Sequence, residues 1–190
     1  PLWRSALADL EARYGSPITS YASFIDALVS RRAFFTSLGA TATDHAVVVP
    51  YTRRLDQPSL DRLFSAALEG TATADDQHAF EAHMLIERAC MSTEDGLVMQ
   101  LHPGSLRDHH ARVFDRFGTD KGADIPVVTE YTRNLHALLN EVGHDPRLTL
   151  ILFTLDESAY ARELAPLAGH YPAVRLGPPW WFHDSIEGMR

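Results

Sequence analysis

Several residues able to do chemistry stand at or near the ends of apolar runs in this sequence. Asp44 and His45 lie within a run rich in β-branched residues, and His102 ends a second run with Arg107 shortly after it. A neutral imidazole can act as a general base or bind a metal ion, and a guanidinium can hold a carboxylate with two parallel hydrogen bonds. A pair of tryptophans follows the last run and offers flat apolar walls with a donor at the edge. Together these residue types would suit acid–base chemistry, metal binding or recognition of a carboxylate.

Each of these residues also has a structural interpretation. A histidine at a strand end commonly makes structural hydrogen bonds, the Asp44-His45 pair could bond neighbouring loops, and Arg107 could pair with Asp108 on the surface. The tryptophan rings could simply pack, because alternate strand residues point to opposite faces. For His102 the following Pro-Gly turn favours a functional role, since the backbone can approach a ligand closely there.

The remaining histidines and the cysteine give weaker signals. His78 and His83 lack the i, i+4 spacing of a helical metal pair and are predicted to be surface residues. His109 and His110 are adjacent on a predicted helix, where side chains diverge, so they would chelate poorly. Cys90 is the only cysteine, which excludes an internal disulfide and a cysteine-based zinc finger.

Apolar strand-like runs alternate with amphipathic segments along the chain. The pattern predicts helices over 19–38, 56–69, 74–91, 105–117, 126–142 and 157–167, and strands over 40–49, 97–102, 148–155 and 173–176. Strands that are apolar on both faces and alternate with helices are typical of a buried parallel sheet, whose chemistry collects at the carboxyl ends of the strands. A doubly wound open sheet and a barrel both fit this pattern.

Composition and motif searches narrow the class of protein. With 190 residues, 45% hydrophobic and 22% charged, the chain has the profile of one globular domain. Its formal net charge of −8 argues against nucleic acid and anionic membranes as partners. Fingerprints of dinucleotide and P-loop sites and the G-x-S-x-G elbow are missing, so neither a nucleotide cofactor nor an α/β-hydrolase is expected. No apolar run is long enough to span a bilayer.

The start of the chain, Pro-Leu-Trp-Arg-Ser, has neither an initiator Met nor a basic-then-apolar leader. We therefore expect a cytoplasmic protein and a chain that is the middle part of something longer.

Four segments taken together resemble one family, the uronate (glucuronate) isomerases of the amidohydrolase superfamily. Residues 31–35 with 39 and 43–45 resemble its fourth-strand region, and Gln-Leu-His-Pro-Gly-Ser-Leu-Arg over 100–107 is similar to its fifth-strand motif. Residues 150–155 resemble the sixth strand, and Gly-Pro-Pro-Trp-Trp-Phe-His-Asp over 177–184 with 188–190 resembles the seventh. The family has Gly after Asp-His where this chain has Ala46.

The resemblance implies a fold and a place within it. The fold class is then α/β, a partial (β/α)8 TIM-type barrel of about four parallel strands with intervening helices. Residues 1–190 would be a single segment, the interior part from about strand four to strand seven, with a helical insertion near 56–91. The first-strand His-x-His and the strand-eight aspartate of the family are missing. Its principal metal ligands would therefore lie outside this chain.

The implied activity is aldose–ketose isomerisation, D-glucuronate to D-fructuronate and D-galacturonate to D-tagaturonate, through an enediol. This would place the protein in carbohydrate metabolism, in pentose and glucuronate interconversion, with a divalent metal (zinc or similar) in the full-length enzyme. His102 and Arg107 are expected to be catalytic, with His102 also a candidate metal ligand. Substrate binding is expected from four side chains: Asp44, His45, Trp180 and Trp181.

Two alternatives stay open at this point, a metal-dependent hydrolase on the same barrel and a non-catalytic barrel remnant. The expected partner is a small sugar acid. A homo-oligomer is also anticipated, because a partial barrel leaves open strand edges. We expect the segment alone to be inactive.

Overall fold

The computed structural model describes residues 2–179, 186 and 189. Two compact units are present: Pro1–Thr41 with Arg53–Glu87 form the first, and Ala42–Thr52 with Arg88–Arg190 form the second. No helix among the described residues combines the length and the apolar character needed to cross a membrane.

The first unit is helical. It contains α1 (Leu2–Tyr14), α2 (Tyr21–Ser37), α3 (Gln57–Glu69) and the first part of α4 (Ala74–Asp95). Its core is a cluster of buried side chains: Leu7, Ile18, Tyr21, Ala27, Leu60, Phe64 and Met84. The predicted helices over 19–38, 56–69 and 74–91 are confirmed. Helix α1 was not predicted, because its amphipathic pattern is weak and, of its described side chains, only Leu7 is buried.

Local sequence explains where two of these helices begin. Ser20 and Ser23 form a reciprocal capping box at the start of α2. The carboxylate of Asp56 accepts a hydrogen bond of 2.9 Å from the amide of Ser59 at the start of α3, and Gly70 ends that helix at φ 77°.

The second unit is built on a four-stranded parallel sheet. Its strands, in spatial order, are β1 (Ala42–Val47), β2 (Val98–Pro103), β5 (Leu150–Leu152) and β6 (Val174–Leu176). All three pairings are parallel, so the predicted α/β class with about four parallel strands is confirmed. Between β2 and β5 in the chain come β3 (Ser105–Leu106), helix α5 (Ala111–Phe117), β4 (Ile125–Pro126) and helix α6 (His136–Val142). Strands β3 and β4 pair antiparallel.

The connection between β5 and β6 is a continuous helical stretch that changes from α-helix to π-helix and back to α-helix. Helix α7 (Glu157–Ala159) passes into a π-helix (Tyr160–Leu164) and then into α8 (Ala165–His170). A π turn places its side chains out of step with an α-helix and is often found at functional sites.

The two faces of the sheet differ in polarity. Met99, Leu101, Leu150 and Leu152 are fully buried, whereas the alternating residues of β2, among them His102, are partly exposed. The expectation that all strands are apolar on both faces was therefore wrong for β1 and β2. One face packs as core, and the other presents polar side chains.

Two predicted helices begin later than expected. The helix predicted over 105–117 begins at Ala111, and the one predicted over 126–142 begins at His136. The cause is a turn at Gly104, which has φ +92° and whose carbonyl accepts a hydrogen bond of 2.9 Å from the amide of Val127. This bond continues the β3–β4 pairing and keeps both stretches out of helical geometry.

Candidate functional site

Asp44 and His102 meet at the carboxyl half of the sheet. The parallel register sets Asp44 opposite Gln100 and Ala46 opposite His102, so both side chains lie on the polar face. His102 Nδ1 is 2.6 Å from Asp44 Oδ1. The imidazole is 28% exposed and the carboxylate 66%, so a ligand can reach the pair.

The hydrogen bond fixes the tautomer of His102. An ionised carboxylate only accepts, so Nδ1–H of the imidazole is the donor. In the neutral ring the lone pair is then on Nε2, away from Asp44. A carboxylate–histidine pair of this kind can serve as a general base or present Nε2 to a metal ion.

The His102 ring is stacked on Phe153, which follows β5. Their centroids are 3.9 Å apart and the planes differ by 20°. Gly177, which follows β6, makes room for the phenyl ring, because a Cβ there would lie 2.5 Å from two of its carbons. Four successive strands of the sheet thus contribute a row of neighbours: Asp44, His102, Phe153 and Gly177.

Glu163 is a buried carboxylate on the π-helix that was not predicted from the sequence. Its Oε2 accepts hydrogen bonds from the amides of Tyr131 (2.7 Å) and Thr132 (3.1 Å), and its Oε1 accepts from Arg162 Nη2 (2.7 Å). Burial acts to raise the pKa of Glu163, but the bonds from Arg162 and the two amides outweigh it and hold the pKa below its usual value. Apart from the adjacent Arg162, the partners of Glu163 are about thirty residues away in sequence, so no local pattern reveals its burial.

Arg107 follows β3 directly and lies within a group of acidic residues. Its Nη1 is 3.1 Å from Asp124 Oδ2 and 3.3 Å from Asp120 Oδ1. Asp124 also accepts a hydrogen bond of 3.1 Å from the amide of Asp108. Arg107 therefore forms surface ion pairs with Asp120 and Asp124, and not with Asp108, the partner that its structural interpretation offered. Both ion pairs use Nη1, and Nη2 and Nε form no ion pair with the described residues.

His45 is not brought together with Asp44. Adjacent residues of a strand point to opposite faces, and His45 Nε2 is 3.1 Å from the hydroxyl of Thr43 on the face turned away from His102. Trp180 and Trp181 fall outside the described residues. The substrate-binding roles assigned to these side chains stay predictions.

The described residues do not form a metal centre by themselves. Within residues 2–179, 186 and 189, no three His, Cys, Asp or Glu side chains are placed to hold a metal ion. His102 Nε2 is a suitable single donor, but a divalent metal at this point needs further ligands.

A cavity of about 350 Å³ opens at the other end of the sheet, before β5 and β6 begin. Its lining residues include three histidines, His136, His144 and His170, together with Tyr171. In parallel α/β folds the chemistry lies at the carboxyl ends of strands, so this cavity is not part of the candidate site.

His83 is a second histidine whose position corrects an expectation. It was predicted to be a surface residue, but its exposed fraction is 1%. Its Nδ1 accepts a hydrogen bond of 3.2 Å from the amide of Leu55, and Nε2 is 2.9 Å from the hydroxyl of Tyr21. These bonds explain how an imidazole is accommodated in the core of the first unit. His78 is exposed, as predicted.

A parallel sheet with helices between its strands and a carboxylate–imidazole pair near their carboxyl ends is the arrangement typical of α/β folds that bind ligands at that edge. The family model described as glucuronate isomerase matches residues 2–190, and the chain belongs to that family.

Known proteins of this family match nearly the whole chain. A uronate isomerase from Nostoc punctiforme is 53% identical over 189 residues, covering 100% of this chain and 40% of its own length. One from Rhizorhabdus wittichii is 59% identical over 181 residues, covering 95% and 39%. The crystal structure of glucuronate isomerase from Caulobacter crescentus superimposes with a TM-score of 0.92 at 48% identity, over 98% of this chain and 39% of that one.

These matches confirm the family resemblance and the fold class, a partial (β/α)8 barrel. The chain spans about two fifths of the length of the relatives it matches. No comparison supports the hydrolase alternative or the non-catalytic one.

Proposed function

We propose that the whole protein containing this segment is a uronate isomerase. It would interconvert D-glucuronate with D-fructuronate, and D-galacturonate with D-tagaturonate. The observation that carries the proposal is the Asp44–His102 hydrogen bond of 2.6 Å at the carboxyl half of a parallel sheet, in a chain of the glucuronate isomerase family.

The reaction is a proton transfer within the open-chain sugar acid. A base removes the proton from C2 of the aldose, and the electron pair moves through C1 to the aldehyde oxygen, giving an enediolate. A proton passes from the C2 hydroxyl to that oxygen, and another is delivered to C1, which leaves the ketone at C2. Donors aimed at the developing oxyanion stabilise it most where water is excluded.

His102 serves this chemistry through its fixed tautomer. Asp44 holds Nδ1–H, so Nε2 faces the substrate side as an acceptor or as a metal donor. The base that abstracts the C2 proton lies outside this segment, and His102 with Arg107 binds and orients the reacting part of the sugar.

Arg107 would bind sugar oxygens or the carboxylate. Asp120 and Asp124 hold Nη1, and this orients the guanidinium plane and leaves Nη2 and Nε as donors. Planar two-point recognition of a carboxylate is what arginine does and lysine cannot.

A divalent metal, zinc or similar, would polarise a substrate oxygen when bound. His102 is the donor that this segment offers, and the principal ligands come from elsewhere in the whole protein. The expected place of action is the cytoplasm.

The test is an assay of the whole protein with D-glucuronate and D-galacturonate, followed by ketose formation with and without a chelator. We expect turnover that the chelator removes, and we expect Arg107→Lys to raise KM more than it lowers kcat. The matched control is Arg112→Lys, an exposed arginine on α5. A folded protein that converts neither sugar acid, metal present, would refute the assignment.

A further inference from the structure

Phe153 is held at both of its backbone polar groups. Its amide donates a hydrogen bond of 3.0 Å to the carbonyl of Leu101, the residue before His102. Its carbonyl accepts one of 2.9 Å from the hydroxyl of Tyr131. The first bond ties Phe153 to β2, and the second ties it to the segment before α6.

Tyr131 is suited to a fixed role. It is fully buried, so its hydroxyl needs a partner within the protein. Burial also raises the pKa of the Tyr131 phenol, which therefore stays a protonated donor toward Phe153 across the physiological range.

Glu163 holds the backbone of Tyr131 in turn. One carboxylate oxygen, Oε2, accepts hydrogen bonds from the amides of Tyr131 and Thr132 and from the hydroxyl of Thr132 (3.2 Å). Arg162 binds the other oxygen through Nε (3.1 Å) and Nη2 (2.7 Å). The π-helix that carries both residues is thereby joined to the segment before α6.

We propose that Tyr131 is a positioning residue of the candidate site, which fixes Phe153 and through it the plane of the His102 imidazole, with Glu163 holding Tyr131 in place. The path consists of direct contacts only: carboxylate to Tyr131 amide, Tyr131 hydroxyl to Phe153 carbonyl, and phenyl ring to imidazole. Neither Tyr131 nor Glu163 touches the substrate in this account. That this positioning serves catalysis rests on the proposed function, whereas the positioning of the His102 ring itself does not.

The experiment is NMR of the whole protein labelled at histidine Cε1, with the His102 signal identified by its loss in His102→Gln. A proton above a phenyl ring is shifted upfield by the ring current. Phe153→Leu removes the ring and therefore gives the reference position for an unstacked imidazole. We expect Tyr131→Phe to move the His102 signal toward that reference, because the hydroxyl that fixes Phe153 is lost. The matched control, Tyr171→Phe, changes a tyrosine whose ring lies 5.1 Å from His144, and it should leave the His102 signal in place.

Glu163→Gln provides a second, independent variant, since it keeps the Tyr131 hydroxyl and weakens the hold on its backbone. A shift in the same direction supports the proposal. A His102 signal at the wild-type position in both folded variants overturns it. Isomerase assays on the same samples separate the two claims. An inactive wild type, with the His102 signal shifted in the variants, would refute the proposed function alone. An active wild type, with the His102 signal unmoved in the variants, would refute the positioning role alone.

Discussion

The imidazole of His102 lies almost parallel to the phenyl ring of Phe153, with centroids 3.9 Å apart and an interplanar angle of 20°. Two adjacent parallel strands meet through this contact, and the Asp44 carboxylate approaches the same imidazole from a third strand. The His102 ring is therefore held by one hydrogen bond at Nδ1 and by one stacked neighbour, while Nε2 bonds to none of the residues that the structure describes.

A substitution at Gly177 tests the stacking of Phe153 on His102, because an added side chain would occupy the space of the phenyl ring. In Gly177→Ala the new methyl group would lie 2.5 Å from Phe153 ring carbons, so the ring must move away from its place beside His102. We expect a loss of stability of about 1–3 kcal/mol from overpacking and lower isomerase activity in the whole protein. Denaturant unfolding and the uronate assay measure the two effects.

Gly169 offers the matched control. It lies on α8 with no atom within 4 Å of an added Cβ. Gly169→Ala should be neutral or should stabilise by about 0.5–1 kcal/mol, because alanine is the better helix former. Equal effects of the two substitutions would show that the Phe153 contact is unimportant.

Glu163 should make stability depend on pH in the acid range. Its pKa is lowered in the folded protein, so its contribution is fully present above the ordinary glutamate pKa and is lost as pH falls through the lowered folded value. Glu163→Gln should therefore destabilise by about 1–3 kcal/mol at neutral pH, and the difference from wild type should shrink in acid. Urea unfolding at a series of pH values measures it, with the exposed Asp115→Asn as control. A difference that is constant with pH would contradict the role of its charge.

The buried His83 should contribute strongly to the stability of the first unit. His83→Ala removes two hydrogen bonds, to the Leu55 amide and the Tyr21 hydroxyl, and leaves a space in the core, which together should cost about 1–3 kcal/mol. His78→Ala on the same helix removes an exposed imidazole and should change stability by less than about 0.5 kcal/mol. Thermal unfolding of both variants decides the point, and similar melting temperatures would speak against it.

The sequence predicted the parallel sheet because 97–102 and 148–155 are apolar enough to be recognised without tertiary information. Asp44 and His102 were singled out because each stands on or at the end of a strand-like run, and the structure places the two side chains together, but their roles in a site stay predictions. The β3–β4 pair was missed because 105–117 has a helical pattern locally. Gly104, at φ +92° and with its carbonyl bonded by the Val127 amide, redirects the chain.

Burial and long-range contacts account for the other differences between the sequence-based predictions and the structure. His83 has no local signal of burial, because its partners Tyr21 and Leu55 are far away in sequence. Glu163 likewise binds amides on another element. Contacts of this kind depend on how the elements pack.

The most direct test of the central claim is a double-mutant cycle on Asp44 and His102 in the whole protein, with kcat/KM for D-glucuronate as the readout. If Asp44 acts by orienting His102, Asp44→Asn should lower kcat/KM by about 10–100-fold in the wild-type background. In the His102→Gln background it should have almost no further effect, because residues that act as a unit are not additive. Fully additive losses, or an Asp44→Asn variant as active as wild type, would contradict the account.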